Sequence, residues 1–415
     1  MSRRSGFLAA LAALVVLAAT VAGSSLGSGN QQDAASAASG TVVLSGWGAS
    51  ADELKLLKAV IRGFEKTYPK IKVDYQPITG DYPATMLAKF SARKPPDVFY
   101  VNSDAFLDWA SQGVLEPLDS YASKSHFSSK PFYAPLLNGF KYKGKTYGYP
   151  KDWSPLAMEV NTALAAKAKV VPSRIQTWAQ LTAAAKKLKP VMPSGAKPIC
   201  LSANWDRLLA FVYQNKGSFL NKAKTKATVN SPAAKAAADY YVGLIRQDLA
   251  DIPAKLGVDW CGAALGKEKA AIIFEGNWLF PFMQSTFPDV KFSTQRMLKN
   301  KTYGNLGFTA SYSMARDSDN KDAAWQLIRY LVGRPGMKTW TSKGLALPSR
   351  KDVKPVAGRQ PFLADAAYAH PWEFAPQFSK VMDTANNELT AVIEGKESTS
   401  EMLKKVEDAA NDALH

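Results

Sequence analysis

The stretch PPDVFYV (95–101) is an apolar run behind two prolines, broken only by Asp97, with no alternation of polar residues. A strand wet on one face alternates, whereas a strand covered on both faces, as in a parallel sheet, does not. The flanking sequence fits that reading. TVVLSGW (41–47) is a β-branched run ending in a glycine turn, and KIKVDYQ (70–76) alternates as a strand should. Between them, SADELKLLKAVIRGFEKTY (50–68) opens with the capping pair Ser50 and Glu53 and repeats Leu54, Leu57, Ile61 and Phe64 on one helical face. YPATMLAKFSA (82–92) is a second helical pattern. Strands alternating with helices predict βαβ units and an α/β fold. Ligands of such sheets bind beyond the carboxyl ends of the strands. Trp47, Asn102 and Asp104 fall at those ends, and Asp104 is equally placed to cap a helix.

The chain has 415 residues, too many for one ordinary core, so two domains are expected. With 47% hydrophobic and 21% charged residues it belongs to the globular class. The formal charge is +17, but the lysines are scattered along amphipathic segments and dense only in short runs such as AKAKV (166–170) and NKAKTK (221–226). This fits a solvated basic surface that meets acidic wall or membrane polymers, with no nucleic-acid partner.

Arg3 and Arg4 precede the apolar run FLAALAALVVLAATVAG (7–23), and a small, polar tail follows. Residues 1–37 thus read as a secretory signal peptide and polar tail, by a Sec or twin-arginine route. VAGS (21–24) resembles a lipobox with Ser24 in place of the lipidated cysteine, so anchoring is left open and cleavage after ASA (35–37) is the alternative. The mature protein is expected outside the cytoplasmic membrane. In an oxidising compartment the two cysteines, Cys200 and Cys261, are expected to pair. The three histidines, His126, His370 and His415, lack ligand spacing, and neither a metal nor a cofactor is expected.

Further along, YKGKTYGYPKDWSPLAMEVNTALAA (142–166) contains a Lys-Gly hairpin turn, a short strand, and Pro150 at the start of a crossing segment. Helices are predicted near 177–189, 205–214 and 232–247, a strand at 307–315, and an amphipathic helix at 320–333 with Ala324, Leu327, Ile328 and Leu331 inward. Ser398 and Glu401 form another capping pair. AIIFEGNW (271–278) begins as a buried strand and gives way to a carboxylate, a glycine, an amide and an indole. A tight turn accounts for the glycine and asparagine; a sugar receptor needs the same mixture of groups.

Eight segments in this order resemble the extracytoplasmic sugar-binding proteins of bacterial ABC importers, the group that includes maltose-binding protein. They are FEKTYPKIKV, PPDVFYVNSDAF, QGVLEPLD, YKGKTYGYPKDW, TWAQLTAAAKKL, GKEKAAIIFEGNW, AAWQLIRYLVGRPGMKTW and GLALPSR, and the similarity spans roughly 41–415. It implies a class II periplasmic-binding-protein-like fold: two α/β lobes joined by crossing hinge segments, with the ligand between them. Lobe 1 would be 41–150 plus 310–348 and lobe 2 would be 153–305 plus 355–415, with hinges at Pro150–Asp152 and near 306–311. It also implies a monomeric receptor that hands its ligand to ABC transporter permease subunits in the membrane.

A pyranose offers an apolar CH face to aromatic rings and a rim of hydroxyls to carboxylates, amides and cations. Trp278 matches the family's stacking tryptophan, with Glu275 and Asn277 at the rim. Trp205, after CLSAN, stands where the family often has an aromatic. Trp47, Asn102, Asp104, Lys151, Asp152, Trp153, Tyr312 and Trp372 complete the expected ligand set. The competing class is a secreted carbohydrate-active hydrolase, which needs two converging carboxylates; no GxSxG, P-loop or HExxH motif is present. A receptor for a peptide or other solute in the same fold is the second alternative.

Overall fold

The strands are β1 (Gly40–Trp47), β2 (Ile71–Ile78), β3 (Val98–Asn102), β4 (Lys141–Tyr142), β5 (Lys145–Thr146), β6 (Gly148–Pro155) and β7 (Ala157–Asn161). They continue with β8 (Lys197–Cys200), β9 (Ala250–Asp251), β10 (Ala270–Glu275), β11 (Phe292–Gln295), β12 (Asn305–Met314) and β13 (Ala369–Pro371). This computed structural model describes residues 38–47, 51–371, 375–376 and 378–415. Ser50 of the first capping pair and Trp372 lie outside the described residues.

The first sheet has the order β13-β12-β3-β1-β2, with β6 also paired to β12. β1 runs parallel to both β2 and β3, as the apolar run predicts, while β12 joins the other edge of β3 antiparallel. The crossover helices are Ala51–Thr67 and Tyr82–Ser91. The first buries Leu57, Ile61 and Phe64 and leaves Leu54 half-exposed. The second is capped by Asp81, whose Oδ1 accepts the Ala84 N–H at 3.0 Å. The apolar core of this sheet draws on Val42 to Tyr149 and then on Tyr312 to Trp340. Ala324, Leu327, Ile328 and Leu331 are all buried in it or beside it.

The second sheet has the order β11-β7-β10-β8-β9. Its main core runs from Leu156 to Leu306 and is completed by the C-terminal helices Phe378–Ile393 and Thr399–Leu414. The second of these begins with the expected reciprocal cap: Ser398 Oγ accepts the Glu401 N–H and Glu401 Oε2 accepts the Ser398 N–H. Cys200, closing β8, is disulfide-bonded to Cys261, which opens a short helix under the same sheet.

β6 and β12 form a long antiparallel pair, from Gly307 opposite Pro155 to Ser313 opposite Gly148. Its ends reach both cores: Tyr149 and Tyr312 pack in the first, Leu306 in the second. Pro150 lies inside β6 rather than at its start, which corrects the expectation. Ser311 faces Pro150 and Ala310 faces Asp152, so Lys151 has no residue opposite it. A strand tolerates proline at such a bulge, where a ladder N–H is not needed, and the bulge re-aims the extra side chain. The Lys143–Gly144 turn of the β4–β5 hairpin has φ of 46° and 77°, both in the left-handed region that such tight hairpins use.

Candidate functional site

β10 ends in Glu275, 3% exposed, and two donors converge on its carboxylate. Arg207 Nη2 donates to Oε2 at 2.6 Å and the Trp278 indole N–H donates to the same oxygen at 3.0 Å. Arg207 comes from the first turn of the helix Trp205–Gln214, and it also donates to the Phe274 carbonyl at 3.0 Å and pairs with Asp206 at 2.9 Å. Its guanidinium lies 5.6 Å from the ring centres of both Trp278 and Phe308, which meet edge to face at 5.4 Å. Trp278 is half-buried and held at its N–H and its edge. Gly276 is required by this arrangement and not by a turn: a Cβ there would lie 2.3 Å from the Trp278 ring, and its φ is not in the left-handed region.

A second carboxylate stands behind the first. Glu159 on β7 is fully buried; its Oε2 accepts the Glu275 N–H at 3.1 Å, and its Oε1 has no partner among the described residues. Burial raises Glu159 well above the usual carboxylate range, reinforced by the charge of Glu275. Burial raises Glu275 as well, against the opposing pull of Arg207. For Arg207, burial pulls downward, but Glu275 and Asp206 hold it above its ordinary value.

Both glutamates therefore have folded pKa values above the unfolded value of about 4.3. The stability they contribute is whole below that value and is lost as pH rises through the folded values. Glu159→Gln, which cannot ionise, should melt level with the parent near about pH 4 and above it near about pH 8. A thermal series across that range checks this; a parent that gains on the variant as pH rises would refute it.

Asn277 is fully buried. Its backbone N–H donates to Ser154 Oγ at 2.6 Å and its side-chain amide donates to the Gly344 carbonyl. The turn after β10 is thereby tied to β6 and to the segment after helix Arg334–Trp340.

A second group gathers around the bulge. Lys151, 3% exposed, forms an ion pair with Asp152, and Asp152 Oδ2 accepts the Trp340 indole N–H at 2.8 Å. The Lys151 ammonium lies 4.0 Å from the Trp340 ring centre and 5.1 Å from that of Tyr100, a cation–π arrangement strengthened by desolvation. Tyr100 meets Trp47 at 4.9 Å and Tyr312 at 5.3 Å. A cavity of about 190 Å³ opens here, lined by Glu53, Leu57, Tyr75, Thr79, Tyr100 and Trp340 among others. Burial raises the Glu53 carboxyl, partly offset by Lys151.

The structure thus joins Glu275, Asn277 and Trp278 into one group and Trp47, Lys151, Asp152 and Tyr312 into another. Three residues expected at a ligand contribute packing here. Trp205 is fully enclosed against Phe219 at 5.5 Å, and Trp153, 2% exposed, donates its N–H to the Pro348 carbonyl at 3.1 Å. Tyr312 is 3% exposed behind Tyr100. Asn102 and Asp104 are exposed at the start of helix Ser103–Ser111; the cap position falls to Asn102, not to Asp104, which lies within the first turn and accepts the Ala105 N–H. Arg207, Phe308, Glu159, Tyr100 and Trp340 were not singled out from sequence, and Glu53, read there only as a capping residue, lines the cavity. A signal existed only for Arg207, the single cation of WDRLLAFVYQ (205–214), standing directly before its apolar run LLAFVY.

No described helix is long and apolar enough to cross a membrane. Residues 47–338 match the family described as bacterial extracellular solute-binding protein. An uncharacterised ABC transporter extracellular-binding protein of Pyrococcus horikoshii is 24% identical over 333 residues, 74% of this chain and 71% of its own length. An ABC substrate-binding protein of Listeria monocytogenes, solved in complex with cycloalternan, superposes with a TM-score of 0.82 at 25% identity, covering 90% of this chain and 98% of that one. The GacH receptor of Streptomyces glaucescens, solved unliganded and with acarbose, superposes with a TM-score of 0.79 at 22% identity, covering 91% of this chain and 98% of that one. The α/β architecture with two separately cored sheets, the paired crossing strands, and a family match over most of the chain place this protein among the bacterial extracellular solute-binding proteins of ABC transporters.

Proposed function

We propose that the protein binds a sugar, an oligosaccharide in particular, in a cleft between two lobes and delivers it to an ABC permease. The lobes are 41–150 plus 310–348 and 153–305 plus 355–415, and they turn about the β6–β12 crossing. Residues 1–37 direct export, and the mature protein acts outside the membrane. The observation that carries the reading is Trp278: a half-buried indole whose N–H is anchored by Glu275 and whose edge is braced by Phe308. A ring held this way can cover the CH face of a pyranose, while Lys151, Asp152 and Glu53 supply charged partners for hydroxyls. The saccharides held by the Listeria and Streptomyces relatives support the same ligand class.

Titration calorimetry against mono- and oligosaccharides tests this; an absence of heat with every sugar, beside binding of peptides, would sink it. Trp278→Ala should weaken binding by about 1.5 to 4 kcal/mol, as for an aromatic anchor. Its melting temperature should fall by less than the ~3 to 5 kcal/mol cost of a fully buried aromatic implies. A variant that binds normally but melts far lower would make Trp278 a core residue. The hydrolase alternative is disfavoured because Glu275 is committed to Arg207 and Trp278, and turnover of aryl-glycosides would restore it.

A further inference from the structure

Along its strands the second sheet is electrically lopsided. β8 runs parallel to β9 and β10, and β7 runs antiparallel to β10 and β11. Four strands therefore begin at one edge, and β7 ends there. The register puts Lys291, Thr162, Ala270 and Lys197 level with one another: Asn161 faces Phe292, Val160 faces Ile272, and Ala270 faces Lys197. The Thr162 N–H donates to the Lys291 carbonyl and the Lys197 N–H to the Lys269 carbonyl, each at 3.0 Å, which fixes the row. Neighbouring strands are about 4.8 Å apart, so Lys291, Lys269 and Lys197 span about 14 Å of this edge. Lys267 leads into β10, and Lys189 reaches the row from the end of helix Trp178–Leu188.

Three carboxylates stand among these five lysines. Asp248 is shared between two of them, pairing with Lys189 at 2.8 Å and with Lys197. Asn161 Nδ2 donates to Glu268 Oε1 at 3.3 Å, and Asp289 precedes Lys291 by two residues. Helices that return to this edge end in further cations, Lys186 and Lys187 on one and Arg246 on another. The dipole of a helix favours cations in its last turn, which accounts for these three. It does not account for Lys197, Lys269 and Lys291, which stand at strand starts. The opposite ends of the same strands carry Asp251 and the Glu275–Arg207 pair. The cationic edge and the ligand group thus occupy opposite poles, about 17 Å apart along β10.

We propose that this edge binds a linear phosphodiester polymer of the cell envelope. Lysine is a compact point charge that takes phosphate oxygens without demanding one geometry. A polymer repeats its phosphates along one flexible chain and can follow the row, so several weak contacts add up. The formal charge of +17 draws such a chain in from a distance. Direction selects a wall polymer over a lipid surface. A receptor that hands its ligand to a permease presents its ligand pole to the membrane, and the cationic pole then faces away from it. That direction rests on the proposed delivery; the charge pattern does not.

The test titrates poly(glycerol phosphate) at low ionic strength into the parent, an edge variant and a control. The edge variant is Lys187→Gln/Lys267→Gln/Lys291→Gln; the control, Lys58→Gln/Lys66→Gln/Lys72→Gln, removes the same charge from the part built on the first sheet. All six lysines are exposed, so both variants should melt as the parent does. The edge variant should lose at least tenfold in Kd and the control far less, with affinity falling as salt rises. Arginine at the three edge positions should bind as the parent does, which separates lost charge from lost fold. Equal losses in edge variant and control would reduce the effect to net charge and overturn the proposal. So would an absence of polymer binding, or phosphatidylglycerol vesicles binding where the polymer does not. Sugar binding is read separately by calorimetry and should be equal in all of these proteins, so the sugar site stands or falls by itself.

Discussion

Arg207→Met should lower the free energy of unfolding by about 3 to 5 kcal/mol, the cost of leaving a buried charge without its partner. The guanidinium is the cation that Glu275 contacts directly, and it satisfies the Phe274 carbonyl as well. Methionine keeps most of the volume, so the loss would come from charge and hydrogen bonds rather than from a cavity. The deficit should shrink in acid, because Glu275 can then take a proton and stay neutral, and it should shrink again in the double variant Arg207→Met/Glu275→Gln. Urea unfolding at two pH values measures both effects. A single variant that unfolds like the parent at neutral pH would show that the pair contributes little.

Replacing Cys200 and Cys261 with alanine should cost about 4 kcal/mol in the chain-entropy account, since the bond closes a loop with a sequence separation of 61. Both sulfurs are buried beside Leu265, Ile273 and Met283, so lost packing adds to the deficit. Maleimide should label neither residue in the denatured, unreduced protein and both after reduction. Two reactive thiols before reduction would refute the bond.

The α/β order was legible because its signals are local. Residues 98–101 carry their burial on both faces in their own composition, and the helix at 205–214 and the Ser398–Glu401 cap coincide with their sequence patterns. The site was less legible, because its geometry depends on pairs distant in the chain. Nothing around Pro150 announces that Ala310 and Ser311 will shift register and turn Lys151 onto Trp340. A tryptophan looks the same in sequence whether it packs or presents a face: Trp205 is enclosed by the second core, while Trp278 stays half-open. The glycine of AIIFEGNW looked like a turn residue, and its real constraint is the indole two positions on, folded back over it.

Neither hydrophobic core is contiguous in sequence. The first draws on residues from Val42 to Trp340, and the second on residues from Leu156 to Ala410. A chain that emerges N-terminus first therefore cannot complete the second core until Thr399–Leu414, its last helix, has appeared. Contacts so far apart in sequence also make the search for the native state slow. Among the described residues the first core draws on nothing beyond Leu345, so the two cores can close at different points of synthesis, the first well before the second.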